Sequence, residues 1–293
     1  MKVFLSWYAD PPDPPYWLWI KELDGIVVSL HSLIKRKTLL DAVTLRGLRR
    51  FIGCDKTIIV DSLPFSLFSN LNSHVEPLQS WILYTQRLLG ADILVHRDIP
   101  LINASENVRD KLLRRTMLNA EHALRVAEKL GIDIMLVAQG WDIDSYTMCA
   151  RYYRDLGAKY VAIGSLVPKR GDTEFVKKVT KCVREILGRS AHLHLLGIAN
   201  LSVALKLNKY VDSVDVSTPI RAAMARNVLI EMNGRLRRVN LNIIGEQQLY
   251  ELLEKVNKDL PHELRKAKSV RDIIRLLAIY NAYVLINLLK RST

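Results

Sequence analysis

Residues 134–163 read IMLVAQGWDIDSYTMCARYYRDLGAKYVAI. The stretch opens with an apolar run, Ile134–Ala138, stopped by Gln139-Gly140, as expected of a short strand covered on both faces. Ser145–Leu156 then repeats its apolar residues at helical spacing. Asp144 stands where a helix N-cap belongs and Gly157 where a C-cap belongs. Tyr160–Ile163 is a second β-rich run. Strand, helix and strand in this compass form a parallel unit, because parallel strands need a crossover of a dozen or more residues to connect them.

The same rhythm extends in both directions. Strand-like runs occur at Val3–Ser6, Ile26–Leu30, Thr57–Val60, Ile93–His96, Ile134–Ala138, Tyr160–Ile163, His192–Leu196 and Val211–Val214. Helical patterns lie between them at Thr44–Ile52, Leu78–Leu89, Ser105–Leu130, Ser145–Leu156, Glu174–Leu187 and Leu201–Lys206, with Ser105 as an N-cap and Gly131 as a C-cap. Eight such units close into a (β/α)8 barrel, an α/β fold of the TIM type. An open doubly wound sheet is the other arrangement that this alternation allows, but no GxGxxG follows the first strand. Two segments break the rhythm. Residues 7–19, WYADPPDPPYWLW, hold four prolines and three tryptophans, which predicts an ordered extended loop whose aromatics plug one end of the barrel. Arg226–Asn242 reads as a hairpin turning at Asn233-Gly234. Helices follow at Gln247–Lys258, Glu263–Lys266 and Val270–Leu289. The expectation is a barrel over residues 1–242 with a helical extension over 243–293 packed on it.

Of 293 residues, 49% are hydrophobic and 25% charged, which excludes a disordered or fibrous chain. No uninterrupted apolar run reaches the roughly 18 residues of a membrane helix. The N-terminus lacks the long apolar core of a signal peptide. Cys54, Cys149 and Cys182 are odd in number and far apart, so they predict neither a disulfide framework nor a zinc finger. A cytoplasmic protein without a membrane partner is expected. Lys and Arg number 43 against 30 Asp and Glu, a formal charge of +13. Residues 221–293 hold 14 basic against 7 acidic residues, so about half of that excess lies in the last quarter. Such an excess suits a polyanion, through release of counterions from phosphates. The cluster Arg235, Arg237 and Arg238 and the helical Arg109, Lys111, Arg114 and Arg115 are candidates for that contact or simply solvated faces.

In a parallel barrel the chemistry lies where the strands end. Here they end in Asp61-Ser62, Arg97-Asp98, Gln139-Gly140, Gly164-Ser165, Gly197 and Asp215. One such Asp alone is commonly a turn former. Three carboxylates, an amide and several glycines converging on one mouth make a candidate site. His192 and His194 share one face of strand seven, but no third ligand is evident, so no metal is expected.

The order of these segments resembles the guanine transglycosylases, the queuine or archaeosine tRNA-ribosyltransferases and their relatives that insert 7-deazaguanines into DNA. The family's DSGGFQ is matched by Asp61-Ser62-Leu63-Pro64-Phe65-Ser66, and its strand ending in a base-reading Asp by ILVHRD with Asp98. VQGG is matched by Val137-Ala138-Gln139-Gly140, and YxAxGGL by Tyr160-Val161-Ala162-Ile163-Gly164-Ser165-Leu166. LMGVG appears as Leu195-Leu196-Gly197-Ile198-Ala199, and FDCVLPTR as Val214-Asp215-Val216-Ser217-Thr218-Pro219-Ile220-Arg221. The matches keep their order across roughly residues 55–225. The chain departs from the family at Leu63-Pro64 and Ser165, where glycines are usual, and it has no CxCxxC…H zinc motif after Cys182.

The resemblance implies a (β/α)8 barrel that exchanges guanine for a 7-deazaguanine base in tRNA or DNA through a covalent glycosyl–Asp intermediate, without a cofactor. It implies Asp215 as nucleophile and Asp61 as general acid and base. Asp98 would accept from N1 and N2 of the guanine-like edge, while Ser62, Gln139, Gly164, Ser165 and Gly197 would complete the base pocket. Phe65 and Leu196 would sandwich the ring, as flipped bases are usually held. Arg221 would hold a neighbouring phosphate, with Arg235, Arg237 and Arg238 along the polymer. A homodimer or a partner subunit is compatible with the resemblance. A non-catalytic nucleic-acid-binding paralogue is the alternative from another class, and a barrel enzyme acting on a phosphorylated metabolite is a third.

Overall fold

Eight parallel strands close into a ring in chain order, β1 (Lys2–Trp7), β2 (Gly25–Ser29), β3 (Thr57–Asp61), β4 (Ile93–Val95), β5 (Asp133–Ala138), β6 (Tyr160–Ile163), β7 (His192–Leu195) and β8 (Ser213–Val216). The ring is sealed by β1 on β8, with Val3 opposite Val214 and Phe4 opposite Asp215. The computed structural model describes residues 1–8, 13–62, 79–101, 104–166, 172–197 and 201–291.

The pleat sorts the strand residues into two cores, because successive side chains point to opposite faces. Phe4, Val27, Ile59, Ile93, Val95, Met135, Val137 and Ala162 fill the barrel. Val3, Leu5, Ile58, Val60, Leu136, Val161, Leu193 and Val214 face outward into the larger core beneath the helices. Gly25 shows how tightly the interior is filled. A Cβ there would lie 2.3 Å from the Thr57 carbonyl and 2.5 Å from the Phe4 ring.

The helical layer comprises α1 (Leu30–Ile34), α2 (Lys37–Arg46), α3 (Leu48–Ile52), α4 (Gln79–Leu88), α5 (Glu106–Leu130), α6 (Ile143–Asp155), α7 (Thr173–Leu187), α8 (Leu201–Leu207) and α9 (Thr218–Met224). A hairpin of β9 (Asn227–Met232) and β10 (Arg235–Asn240) follows. Its turn falls at Asn233 and Gly234, both at positive φ (53° and 71°), the left-handed pair that matches strand twist. Then come α10 (Glu246–Glu254), α11 (Leu260–Lys266) and α12 (Val270–Arg291). The last is long and apolar enough to cross a membrane, yet 67% of its apolar window is buried. It packs against α9, β9, α8 and β1. Buried Asn281 anchors it, accepting from the Leu229 amide at 2.7 Å and donating to the Asn227 and Pro219 carbonyls. Tyr16 and Trp17 from the proline-rich segment are buried in the outer core, Trp17 edge-on to Trp7.

Four sequence expectations are corrected. Strand eight is Ser213–Val216 rather than 211–214, so Asp215 lies inside the strand. The preceding Asp212 caps the region instead, accepting from the Leu193 amide and pairing with buried Arg184. The helix expected at Thr44–Ile52 is two helices parted by Gly47 at φ 76°, preceded by helix from Leu30 that periodicity alone did not reveal. The cap of α6 is Asp142, which forms a capping box with Ser145 in place of Asp144. α9 follows the eighth strand, where no helix was expected.

Candidate active site

The pleat that fills the barrel also places the polar residues. On β3 the inward positions are 59 and 61, on β8 they are 213 and 215, and on β7 they are 192 and 194. Asp61 and Asp215 therefore rise from the apolar plug at the C-terminal mouth. Ser6 on β1 and the loop residues Asp98, Gln139 and Gly197 join them.

Asp215 is buried and fully engaged. Its Oδ1 accepts from the Gly197 amide at 2.6 Å and lies 3.3 Å from His194 Nε2, while Oδ2 accepts from Ser6 Oγ at 2.7 Å. Gly197 reaches it from a left-handed conformation, φ 65°, that suits a residue without Cβ. Burial alone would raise the Asp215 carboxyl, but the donors from His194, Ser6 and Gly197 outweigh it and hold the group below the ordinary carboxylate value. Asp61 behaves in the opposite way. Burial, reinforced by the charges of Asp98 and Asp215, pushes it well above the ordinary value, against the Ser62 amide. One mouth thus presents two carboxyls displaced in opposite directions from their ordinary value.

Asp98 is the third acid. Gln139 Nε2 donates to its Oδ2 and Ser62 Oγ approaches Oδ1 at 3.5 Å. Burial raises it to about 6 despite those donors and the neighbouring Arg97 charge. Gly164 leaves room for the Gln139 amide, because a Cβ at that position would lie 2.5 Å from its Nε2. Tyr146 pins the Gly164 carbonyl at 2.8 Å. Ser165 takes a left-handed φ of 55°, and its Oγ accepts from the Leu101 amide at 3.2 Å, tying this turn to the loop that carries Asp98. That bond offsets the strain of a non-glycine residue there.

Of the remaining expected residues, Leu196 is partly buried against the barrel interior. Phe65 lies outside the described residues, as do Leu63, Pro64, Ser66, Ile198 and Ala199. Arg221 is exposed on α9 beside the mouth, close enough for its charge to act on the Tyr8 phenol. Arg235, Arg237 and Arg238 are exposed on the outer hairpin rather than among the acids. Sequence reasoning missed Ser6, Tyr8, Ser213 and the partnership of His194 with Asp215. The inward parity of β1, β7 and β8 is the signal that would have found three of them. His192 and His194 meet through Ser213, which lies 2.7 Å from a ring nitrogen of each. Among the described residues no three His, Cys, Asp or Glu side chains gather as metal ligands. Cys54, Cys149 and Cys182 are free cysteines, the first two buried.

The family model described as queuine tRNA-ribosyltransferase matches residues 22–292. A tRNA-guanine(15) transglycosylase of Methanosarcina acetivorans is 26% identical over 275 residues, covering 91% of this chain and 54% of that protein. The Methanosarcina mazei protein of the same description is 24% identical over the same shares. That of Methanocaldococcus jannaschii is 29% identical over 152 residues, covering 50% of this chain and 23% of its own length. The chain spans about half the length of the relatives it matches, or less.

Proposed function

The chain belongs to the queuine tRNA-ribosyltransferase family, and from that premise we propose that it exchanges guanine in a tRNA for a 7-deazaguanine through a glycosyl–Asp215 intermediate. The observation that carries the proposal is the convergence of two acids on one mouth, Asp215 held by Ser6, His194 and the Gly197 amide and lowered, Asp61 raised by burial beside Asp98 and Asp215. Base exchange with retained configuration needs that pairing, a carboxylate to attack C1′ and an acid to protonate the departing base. Asp215 gives its electron pair to C1′ while the C1′–N pair leaves with guanine, which takes the Asp61 proton. The incoming base returns a proton to Asp61 and displaces Asp215. The anion of Asp98 accepts from N1 and N2 of the purine, and Gln139 with the Gly164–Ser165 turn shapes that edge. Ser62, Phe65, Leu196 and Gly197 complete the pocket, and Arg221 with Arg235, Arg237 and Arg238 follows the phosphates. Residues 1–242 are read as the catalytic barrel and 243–293 as its extension.

tRNA is chosen over DNA because the relatives are described as tRNA-guanine transglycosylases. Incubation of the full chain with radiolabelled guanine and either unfractionated tRNA or duplex DNA tests this. Label in tRNA is expected, label in DNA alone moves the substrate to DNA, and label in neither refutes the exchange. Asp215→Asn should abolish any denaturant-stable protein–tRNA adduct while leaving salt-sensitive tRNA binding within about twofold, because the amide keeps the shape but not the anion. An adduct surviving that change would rule out Asp215 as the nucleophile.

A further inference from the structure

The interior of a (β/α)8 barrel is ordinarily filled by branched apolar side chains. Here β7 and β8 place a polar line within it. His192 Nε2 lies 2.7 Å from Ser213 Oγ, Ser213 Oγ lies 2.7 Å from His194 Nδ1, and His194 Nε2 lies 3.3 Å from Asp215 Oδ1. His194 is fully buried and edge-on to Phe4, with ring centroids 5.9 Å apart. His192 is half-buried at the opposite, N-terminal face, against the Tyr160 ring. A histidine buried at this depth costs desolvation that an apolar residue would avoid.

The donors in this line follow one direction when both rings are neutral. An ionised Asp215 only accepts, so His194 Nε2 carries the hydrogen that faces it. His194 Nδ1 is then bare and accepts from Ser213 Oγ, and Ser213 in turn accepts from His192 Nε2. Each link fixes the tautomer of the next, a role a single histidine could not fill alone. The two Asp215 oxygens consequently differ. Among the described residues Oδ1 is engaged by two donors, the His194 ring and the Gly197 amide, whereas Oδ2 has one, the rotatable Ser6 hydroxyl.

We propose that His194, oriented through Ser213 and His192, is a positioning residue that holds Asp215 by Oδ1 and leaves Oδ2 as the attacking oxygen. This rests on the reading of Asp215 as nucleophile. Oδ2 forms the bond to C1′ as the C1′–N bond breaks, the electron pair leaves with the base, and the Asp61 proton goes to that base. Ser6 releases Oδ2, and His194 Nε2–H remains on Oδ1, which becomes the ester carbonyl. The groups facing His194 and Asp215 are His192 on β7, Ser213 on β8 and Ser6 on β1, with Asp61 and Tyr8 at the mouth. Lys2, Asp212 and Arg184 act on the His192 end.

The test compares two amides at one position. The nitrogen of Gln reaches the place of Nε2, and that of Asn only the place of Nδ1. His194→Asn therefore loses the donor to Asp215, and His194→Gln keeps it. Exchange of labelled guanine into tRNA should show kcat falling about tenfold to a hundredfold in His194→Asn with KM for tRNA within about twofold. His194→Gln should keep at least about a third of kcat, and Ser213→Ala should fall between them. In the free protein, the 13C-carboxyl titration of Asp215, assigned by its loss in Asp215→Asn, should move up in His194→Asn and stay in His194→Gln. Equal behaviour of Asn and Gln in both measurements would overturn the proposal, as would an unmoved titration in both His194→Asn and Ser213→Ala. If His194→Asn does not fold, a Ser213→Ala variant matching the native protein in both measurements overturns it equally. If the native protein exchanges no guanine while the titration still responds to His194, the functional reading fails and the hold on Asp215 stands.

Discussion

Gly164 has a non-left-handed backbone that alanine adopts freely, so any effect of Gly164→Ala comes from space. The added Cβ would lie 2.5 Å from Gln139 Nε2, 3.0 Å from Gln139 Cδ and 2.8 Å from Val137 Cγ1. Non-bonded atoms settle near 3.5 Å, so the amide must retreat by about 1 Å. The backbone cannot retreat in its place, because Tyr146 Oη holds the Gly164 carbonyl and the Gly164 amide donates to Ala138. The Gln139–Asp98 hydrogen bond is therefore lost. A bond to a charged group contributes about 1.5–3 kcal/mol, which predicts a rise of about tenfold to a hundredfold in KM for guanine. Overpacking should also cost about 1–3 kcal/mol of stability. The pH dependence sharpens the prediction. Burial raises Asp98 to about 6 against the pull of Gln139, so losing that donor moves it higher. Only the anion, present above that value, accepts from both purine N–H groups. The midpoint at which guanine binding strengthens should move from about 6 to higher pH. Steady-state exchange from pH 5 to 8.5 measures this. An unchanged KM and midpoint would show that the Gln139–Asp98 bond does not depend on the space at Gly164. So would an equal stability loss from Gly164→Ala in a Gln139→Ala background, where the obstructing amide is gone.

Asp61→Asn should slow exchange and stabilise the protein. The carboxyl is raised in the fold above its ordinary 3.8, so the folded state keeps a proton that the unfolded chain has shed, and native stability falls as pH rises above that value. The gap in melting temperature between variant and native protein should therefore widen from pH 4 to pH 7.5, and a gap that ignores pH would contradict the assignment. Asn281→Ala leaves the Leu229 amide and the Asn227 and Pro219 carbonyls without their buried partner, at a cost of about 2–4 kcal/mol. Urea unfolding that gives less than about 1 kcal/mol would show that α12 is not anchored there.

The barrel was legible because its strands are buried on both faces and its crossovers are amphipathic, so period and run length separate the two. The hairpin was legible for a local reason, since Asn233-Gly234 suits a left-handed pair of turn residues. Positions decided by tertiary contact were not. Strand eight slid two residues because Asp212 is held by Arg184 and the Leu193 amide, partners remote in sequence. The glycine at 47 split a helix that periodicity read as one. The acids Asp61, Asp98 and Asp215 were visible as strand-end residues, but the opposite displacement of Asp61 and Asp215 was not. It depends on which donors reach each carboxyl, and those donors come from β1, β7 and loops elsewhere in the chain. Ser6 carries no signal by itself, and only the parity of β1 against β8 gives it meaning.

The seam between β1 and β8 joins residues 2–5 to residues 213–216, and α12 braces it from outside. Lys290 near the end of that helix donates to Asp24, whose other oxygen accepts from the Val3 amide. Synthesis proceeds in the other direction. The first strand leaves the ribosome with its edge unpaired and waits for the eighth to be made, and the brace comes later still. Contacts so distant in sequence form slowly, and an open strand edge invites association with other chains in the interval. Ser6 meets Asp215 only when the ring closes, so a chain made past Gly197 but not yet through β8 holds the residues proposed to read the base but not the arrangement of the carboxylate. The order of manufacture thus keeps the carboxylate proposed as nucleophile unassembled until the ring can close.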